Sequence, residues 1–191
     1  MFRALSYILV LGGLVLAGIG AHSIWIANQN ERDAERQWGQ IVESQAPAPA
    51  HGGSARKAKK GETLARLSID RLGGQWVVVE GAESKELRKG PGHLTNTALP
   101  GSVGNCVIAG HRDTQFRILN KVELGESISV EINGHTYVYR VTDRRVVSPD
   151  DTRSLYPTHT ATLTLVTCYP FYFVGPAPKR FIVRAELVSL F

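Results

Sequence analysis

The chain has 191 residues, with 22 Lys and Arg against 17 Asp and Glu, a formal net charge of +5. Four of those positive charges fall between Arg56 and Lys60, so the rest of the chain is near neutral. A nucleic-acid-binding fold carries its charge on the folded surface, which excludes that class of function, and the length suits one ordinary domain plus an appendage.

The appendage is N-terminal. Leu5 to Ala21 carries no charge and is rich in Leu, Ile, Val, Ala and Gly, and apolar character resumes at Ile24-Trp25-Ile26. A helix from Ala4 to Ala27 extends about 36 Å, enough for a hydrocarbon core of ~30 Å. Tyr7 and Trp25 fall near its ends, where amphipathic rings favour the interface. Residues 1–27 are therefore expected to form one transmembrane anchor. The alternative is a signal peptide cleaved around Ala17 to Ala21, but the apolar stretch exceeds the ~7–15 residues usual for one. Arg3 and the amino terminus favour an N-terminus on the cytoplasmic side.

Residues 28–61 form a juxtamembrane segment and linker. Asn28 to Gln40 is polar and charged, and Ala46 to Ala55 is a Pro/Gly/Ala stretch unable to pack a core. The basic tract Arg56-Lys57-Ala58-Lys59-Lys60 reads as solvated linker, or as a patch for anionic headgroups or envelope polymers.

Residues 62–191 alternate short strands with turn signals, which predicts an all-β domain, a small barrel or sandwich with short helices. Strands are expected at Leu64 to Ile69 and Trp76 to Val79, then a short helix from Ser84 to Lys89 closed by Gly90-Pro91-Gly92. Leu99-Pro100-Gly101 reads as a turn, Asn105 to Ala109 as a buried strand, and Phe116 to Val122 as a brief helix or turn. Asn133-Gly134 suits a two-residue type I′ hairpin, which pairs Ile132 with His135, Val130 with Tyr137 and Ile128 with Tyr139 on one face. The final strands, Ala161 to Thr167 and Phe181 to Leu187, bracket an aromatic loop.

The chemistry collects at strand ends. Thr164-Leu165-Val166-Thr167-Cys168 runs straight into a thiol before the chain turns at Tyr169-Pro170. Gly104-Asn105-Cys106-Val107-Ile108-Ala109-Gly110-His111 ends in an imidazole, and Arg180 opens the last strand. Thiol, imidazole and guanidinium so placed can form one acyl-transfer site: a thiolate nucleophile, an imidazole that carries the proton, and fixed positive charge for the oxyanion. His159 is the rival imidazole, in a polar loop before the Cys168 strand. Arg184 shares a strand face with Arg180, and spacing alone does not separate them. Alternation puts Val166 on the side of Cys168, with Leu163, Leu165 and Thr167 opposite. Thr167 either shapes the site or fills the strand. Tyr169 and Phe171 either wall a peptide groove or pack on their own domain. A Cys106–Cys168 disulfide is a further possibility, and it would remove the nucleophile. The six histidines lack metal-ligand spacing, and Asp150-Asp151 suits a helix start at least as well as calcium.

The TLVTC run, the Gly104 to Leu119 stretch with its Ala-Gly-His-Arg-Asp-Thr core, and Pro-Lys-Arg180-Phe-Ile-Val resemble the sortases, class D above all, over residues 62 to 189. Cys106 departs from the small aliphatic residue expected there. The resemblance implies a closed sortase-type β-barrel on the outer side of the cytoplasmic membrane, with Cys168, His111 and Arg180 catalytic; their position beside Cys168 makes Val166, Thr167, Tyr169 and Phe171 the expected substrate-binding residues. Some members of that family bind calcium, but the residues themselves offer no metal or cofactor motif, so none is expected. The implied substrates are proteins bearing an LPxT-like sorting signal, cleaved through a thioacyl intermediate, with an amine acceptor on an envelope precursor or protein. The alternatives are a cysteine peptidase that transfers to water, an L,D-transpeptidase, whose Ser-x-Gly-Cys-Arg setting is absent, and a tethered barrel that only binds.

Overall fold

The structure, a computed structural model, describes Tyr7 and residues 10–22, 58–172 and 177–191. Eight strands close into one barrel: β1 (Thr63–Ile69), β2 (Gly74–Glu80), β3 (Gly92–His93), β4 (Gly104–Ala109), β5 (Ser127–Ile132), β6 (His135–Val147), β7 (Ala161–Tyr169) and β8 (Lys179–Leu190). Around the barrel they run β1-β2-β3-β4-β7-β8-β6-β5. Short helical turns at Asp70–Leu72, Ser84–Leu87, Arg117–Lys121 and Arg153–Leu155 interrupt the connections. The expected mainly-β closed barrel is what this chain builds.

Period-two alternation fills the interior. Leu67 and Ile69 on β1, Ile128 and Val130 on β5, Leu163 and Leu165 on β7, and Val183 on β8 are all fully buried. The Asn133-Gly134 turn has φ of 53° and 75°, and the hairpin register is Ile132↔His135, Val130↔Tyr137, Ile128↔Tyr139, as the alternating pattern requires.

Two elements differ from the sequence reading. Gly90-Pro91-Gly92 does more than end a helix, because Gly92 opens β3, which pairs parallel to β2 through Val79↔Gly92 and Glu80↔His93. A Cβ at Gly92 would lie 2.2 Å from the Gly81 carbonyl oxygen, so only glycine permits that approach. β6 is 13 residues long, because beyond its pairing with β5, which ends at Ser127↔Arg140, it continues along β8 to Val147↔Arg180. Register shifts at Val138/Tyr139 and Val141/Asp143 break its alternation and hide its length in the sequence.

One buried polar cluster holds the entry to β4. His93 Nδ1 lies 2.8 Å from Glu80 Oε2, and Nε2 lies 3.1 Å from both the Ala98 carbonyl and Thr97 Oγ1. The Thr97 hydroxyl donates to the Leu94 carbonyl, so Nε2 faces acceptors and carries a proton.

Residues 10–22 are helical, about 20 Å long at 1.5 Å per residue. No helix among the described residues is long and apolar enough to cross a membrane. The rest of the expected 1–27 anchor, apart from Tyr7, and the linker from 28 to 57 lie outside the described residues.

Candidate active site

Cys168 stands one residue from the end of β7, between two strands of opposite sense. On one side β4 runs parallel, with Val107↔Thr164 and Ala109↔Val166. The ladder continues through Gly110, whose N–H donates to the Val166 carbonyl (3.1 Å) and whose carbonyl accepts from Thr167 Oγ1 (2.7 Å). Carrying that register one step on brings His111 level with Cys168. On the other side β8 runs antiparallel and pairs Cys168 directly with Arg180. Neighbouring strands lie about 4.8 Å apart, so His111, Cys168 and Arg180 fall at neighbouring backbone positions on three adjacent strand ends, with Cys168 in the middle. His111 is exposed, and Cys168 and Arg180 are half-buried. Arg180 Nη1 donates to the carbonyls of Ala177 (3.3 Å) and Lys179 (3.0 Å), which ties the guanidinium to the loop entering β8.

The same register disposes of the rivals. His159 precedes Ala161, seven residues and so about 23 Å along β7 from Cys168. Cys106 pairs with Leu163, five residues and about 16 Å away, beyond the ~7 Å Cα separation a disulfide allows. Both cysteines are free thiols. Cys106 is 1% exposed, and burial, with the Glu80 carboxylate adding to it, pushes its thiol far above the ordinary range.

The residues read as substrate-facing divide. Val166 is half-buried on the Cys168 side. Thr167 is 3% exposed, and its hydroxyl is committed to the Gly110 carbonyl, so it locks β4 to β7 rather than facing a groove. Tyr169 and Phe171 pack against the core and around Phe181, with ring centroids 6.3 and 5.3 Å from it. Strand alternation explains the burial of Thr167, which points opposite to Cys168, while Tyr169 and Phe171 pack against the core and stay half-buried.

A sortase domain model matches residues 67–188, which spans most of β1 through β8. The chain belongs to the sortase family. Over 198 residues it is 28% identical to sortase D of Bacillus subtilis, covering 99% of this chain and 100% of that one. A Clostridium perfringens sortase D5 transpeptidase superposes with a TM-score of 0.67 at 26% identity, over 86% of this chain and 99% of the other. Sortase E1 of Streptomyces coelicolor, solved with a tripeptide in its active site, gives a TM-score of 0.61 at 30% identity, over 70% and 93%. The sortase is thus an enzyme, a cysteine transpeptidase most like the class D members, and not a barrel that only binds.

Further down the same three strands, about four to six residues from Cys168, His111 and Arg180 along each, polar side chains fasten a turn against the barrel. Asn105, 2% exposed, donates through Nδ2 to the carbonyls of Ser154 (2.9 Å) and Tyr156 (3.1 Å) and accepts from Thr164 Oγ1 (2.7 Å). Arg184 Nη2 reaches the Ser154 carbonyl at 3.4 Å, and Arg145 Nη2 reaches Ser154 Oγ at 3.3 Å. The turn at Arg153–Leu155 is therefore fastened across β4, β8 and β6. It borders a cavity of about 510 Å³ lined by Arg145, Val147, Ser148, Asp151 and Arg153 among others, and Val147 pairs with Arg180. Asp151 is Arg153's partner: hydrogen bonds from that side chain hold its carboxyl down at about 2. Among the described residues no cluster of three or more His, Cys, Asp or Glu side chains is arranged to hold a metal ion.

Proposed function

We propose that this sortase cleaves a Thr–Gly or Thr–Ala bond in an LPxT-like C-terminal sorting signal and passes the acyl group to an amine of an envelope precursor or a protein lysine. The observation that carries the reading is the alignment of His111, Cys168 and Arg180 across β4, β7 and β8. The Cys168 thiolate attacks the threonyl carbonyl, forming an S–C bond and an oxyanion that the Arg180 guanidinium stabilises. As the C–N bond breaks, the His111 imidazolium gives its proton to the departing amine. In the second half the acceptor amine attacks the thioester, its proton returns to His111, and the thiolate leaves. The half-buried Val166 and the cavity beside Val147 supply surface for the bound peptide.

The enzyme is held at the cytoplasmic membrane by residues 1–27, with residues 62–191 on the extracytoplasmic side. Val10, Leu11, Leu14, Leu16 and Ile19 in helix 10–22 are each more than half exposed, which supports a lipid environment for them. Incubating the enzyme with a library of LPxTx peptides, with and without an amine acceptor, tests the reading. Amine-dependent ligated products are expected. Hydrolysis alone at every amine concentration makes the protein a peptidase, and no cleavage of any member refutes the substrate class.

A further inference from the structure

We propose that Gln115 is the positioning residue for His111, holding the imidazole-bearing backbone in place through a buried side-chain amide. The inference rests on His111 serving as the proton carrier of the proposed reaction. His111 lies beyond the last residue of β4 and its side chain is exposed, so neither the strand nor close packing fixes it. Its backbone is nevertheless held at both ends. Its N–H donates to Gln115 Oε1 (3.1 Å), and its carbonyl accepts from the Phe116 N–H (2.9 Å). Gln115 is 7% exposed and uses both ends of its amide: Oε1 also accepts from Thr114 Oγ1 (2.8 Å), and Nε2 donates to the Leu87 carbonyl (3.4 Å).

The adjacent residue completes the brace. Phe116 is fully buried against Gly110, where a Cβ would meet its ring at 2.7 Å, and it meets the Trp76 ring edge-on at 5.9 Å. Gln115 therefore joins the loop carrying His111 to the turn Ser84–Leu87 while Phe116 wedges the same loop onto β4. An acid–base group acts only within hydrogen-bond reach of both the sulfur and the leaving nitrogen, and that reach is set here by the backbone from which the exposed ring projects.

The test uses the full chain in detergent and follows peptide cleavage, its pH profile and thermal unfolding for Gln115→Met, Gln115→Glu and His111→Ala. Methionine keeps length and volume but neither accepts nor donates, and glutamate keeps the acceptor for the His111 N–H. Gln115→Met is expected to lower kcat by about 10- to 100-fold, with KM within about twofold. Gln115→Glu is expected to recover most of kcat, and its carboxylate favours the imidazolium, so the alkaline limb moves to higher pH. A Gln115→Met kcat within about twofold of the parent, while His111→Ala is inactive, overturns this inference alone. So does a loss that glutamate fails to relieve, or one that cooling below the melting transition restores. Parent activity in His111→Ala overturns the assignment of the imidazole and this inference with it. Should Gln115→Met not fold, the Gln115→Glu limb decides, and an unmoved limb is the refuting result.

Discussion

Replacing Thr167 by valine removes one hydroxyl and leaves the side chain's shape almost unchanged. That hydroxyl is 2.7 Å from the Gly110 carbonyl in a residue 3% exposed, so valine leaves a buried carbonyl without its side-chain donor. An orphaned buried polar group costs about 1–3 kcal/mol. For a domain of this size each kcal/mol corresponds to a fall in Tm of about 3–5 °C, a range that calorimetry resolves. The bond also ties β4 to β7 one residue before His111, so the acylation rate in single-turnover experiments should fall with stability. KM for peptide should stay unchanged, because the side chain points away from Cys168. Thr167→Ser keeps the donor and should recover most of both losses. A raised KM with an unaltered Tm would refute the reasoning and return Thr167 to the substrate groove.

Arg180→Ala should suppress acylation strongly, and Arg180→Lys should restore it only in part, because lysine keeps charge but loses the planar fork. Arg184→Ala should leave the acylation rate near that of the parent, its one effect being a modest rise in KM through the loosened Ser154 turn; single-turnover kinetics with both variants checks the order. Cys168→Ala should abolish turnover, whereas Cys106→Ala should retain it, and alkylation followed by peptide mapping should label Cys168 long before the buried Cys106. Because the Asp151 carboxyl is held below its unfolded value, whatever its pairing with Arg153 contributes is present above about pH 4 and lost only as pH falls through about 2. Asp151→Asn should accordingly leave the shape of the pH–rate profile between pH 5 and 9 unchanged.

The Asn133-Gly134 hairpin, the alternating runs of β1, β5, β7 and β8 and the three strand-end residues were legible because each depends on local pattern. What stayed hidden depends on partners distant in sequence. The two-residue β3 has no pattern of its own and exists because Gly92 fits against Gly81. The full length of β6 is masked by its register shifts. Thr167, Tyr169 and Phe171 were legible as residues beside the nucleophile, and their packing follows from Gly110 and Phe181, contacts no spacing rule supplies. Asn105 and Gln115 are single polar residues in unremarked positions whose meaning lies in the carbonyls and the N–H they meet. Separating Arg180 from Arg184 required the β7–β8 register, which pairs one with Cys168 and the other with Thr164.

The central claim is that Cys168 carries the acyl group between donor and acceptor, and intact-protein mass spectrometry addresses it most directly. After brief incubation of the full chain with an LPxT-type peptide and no amine, the account predicts one adduct, mapped to Cys168, whose mass is that of the peptide acid ending at threonine less one water. That adduct should be discharged on adding an amine and absent in Cys168→Ala. A cleaved peptide with no adduct at any time in the parent enzyme, or an adduct that persists in Cys168→Ala, would contradict it.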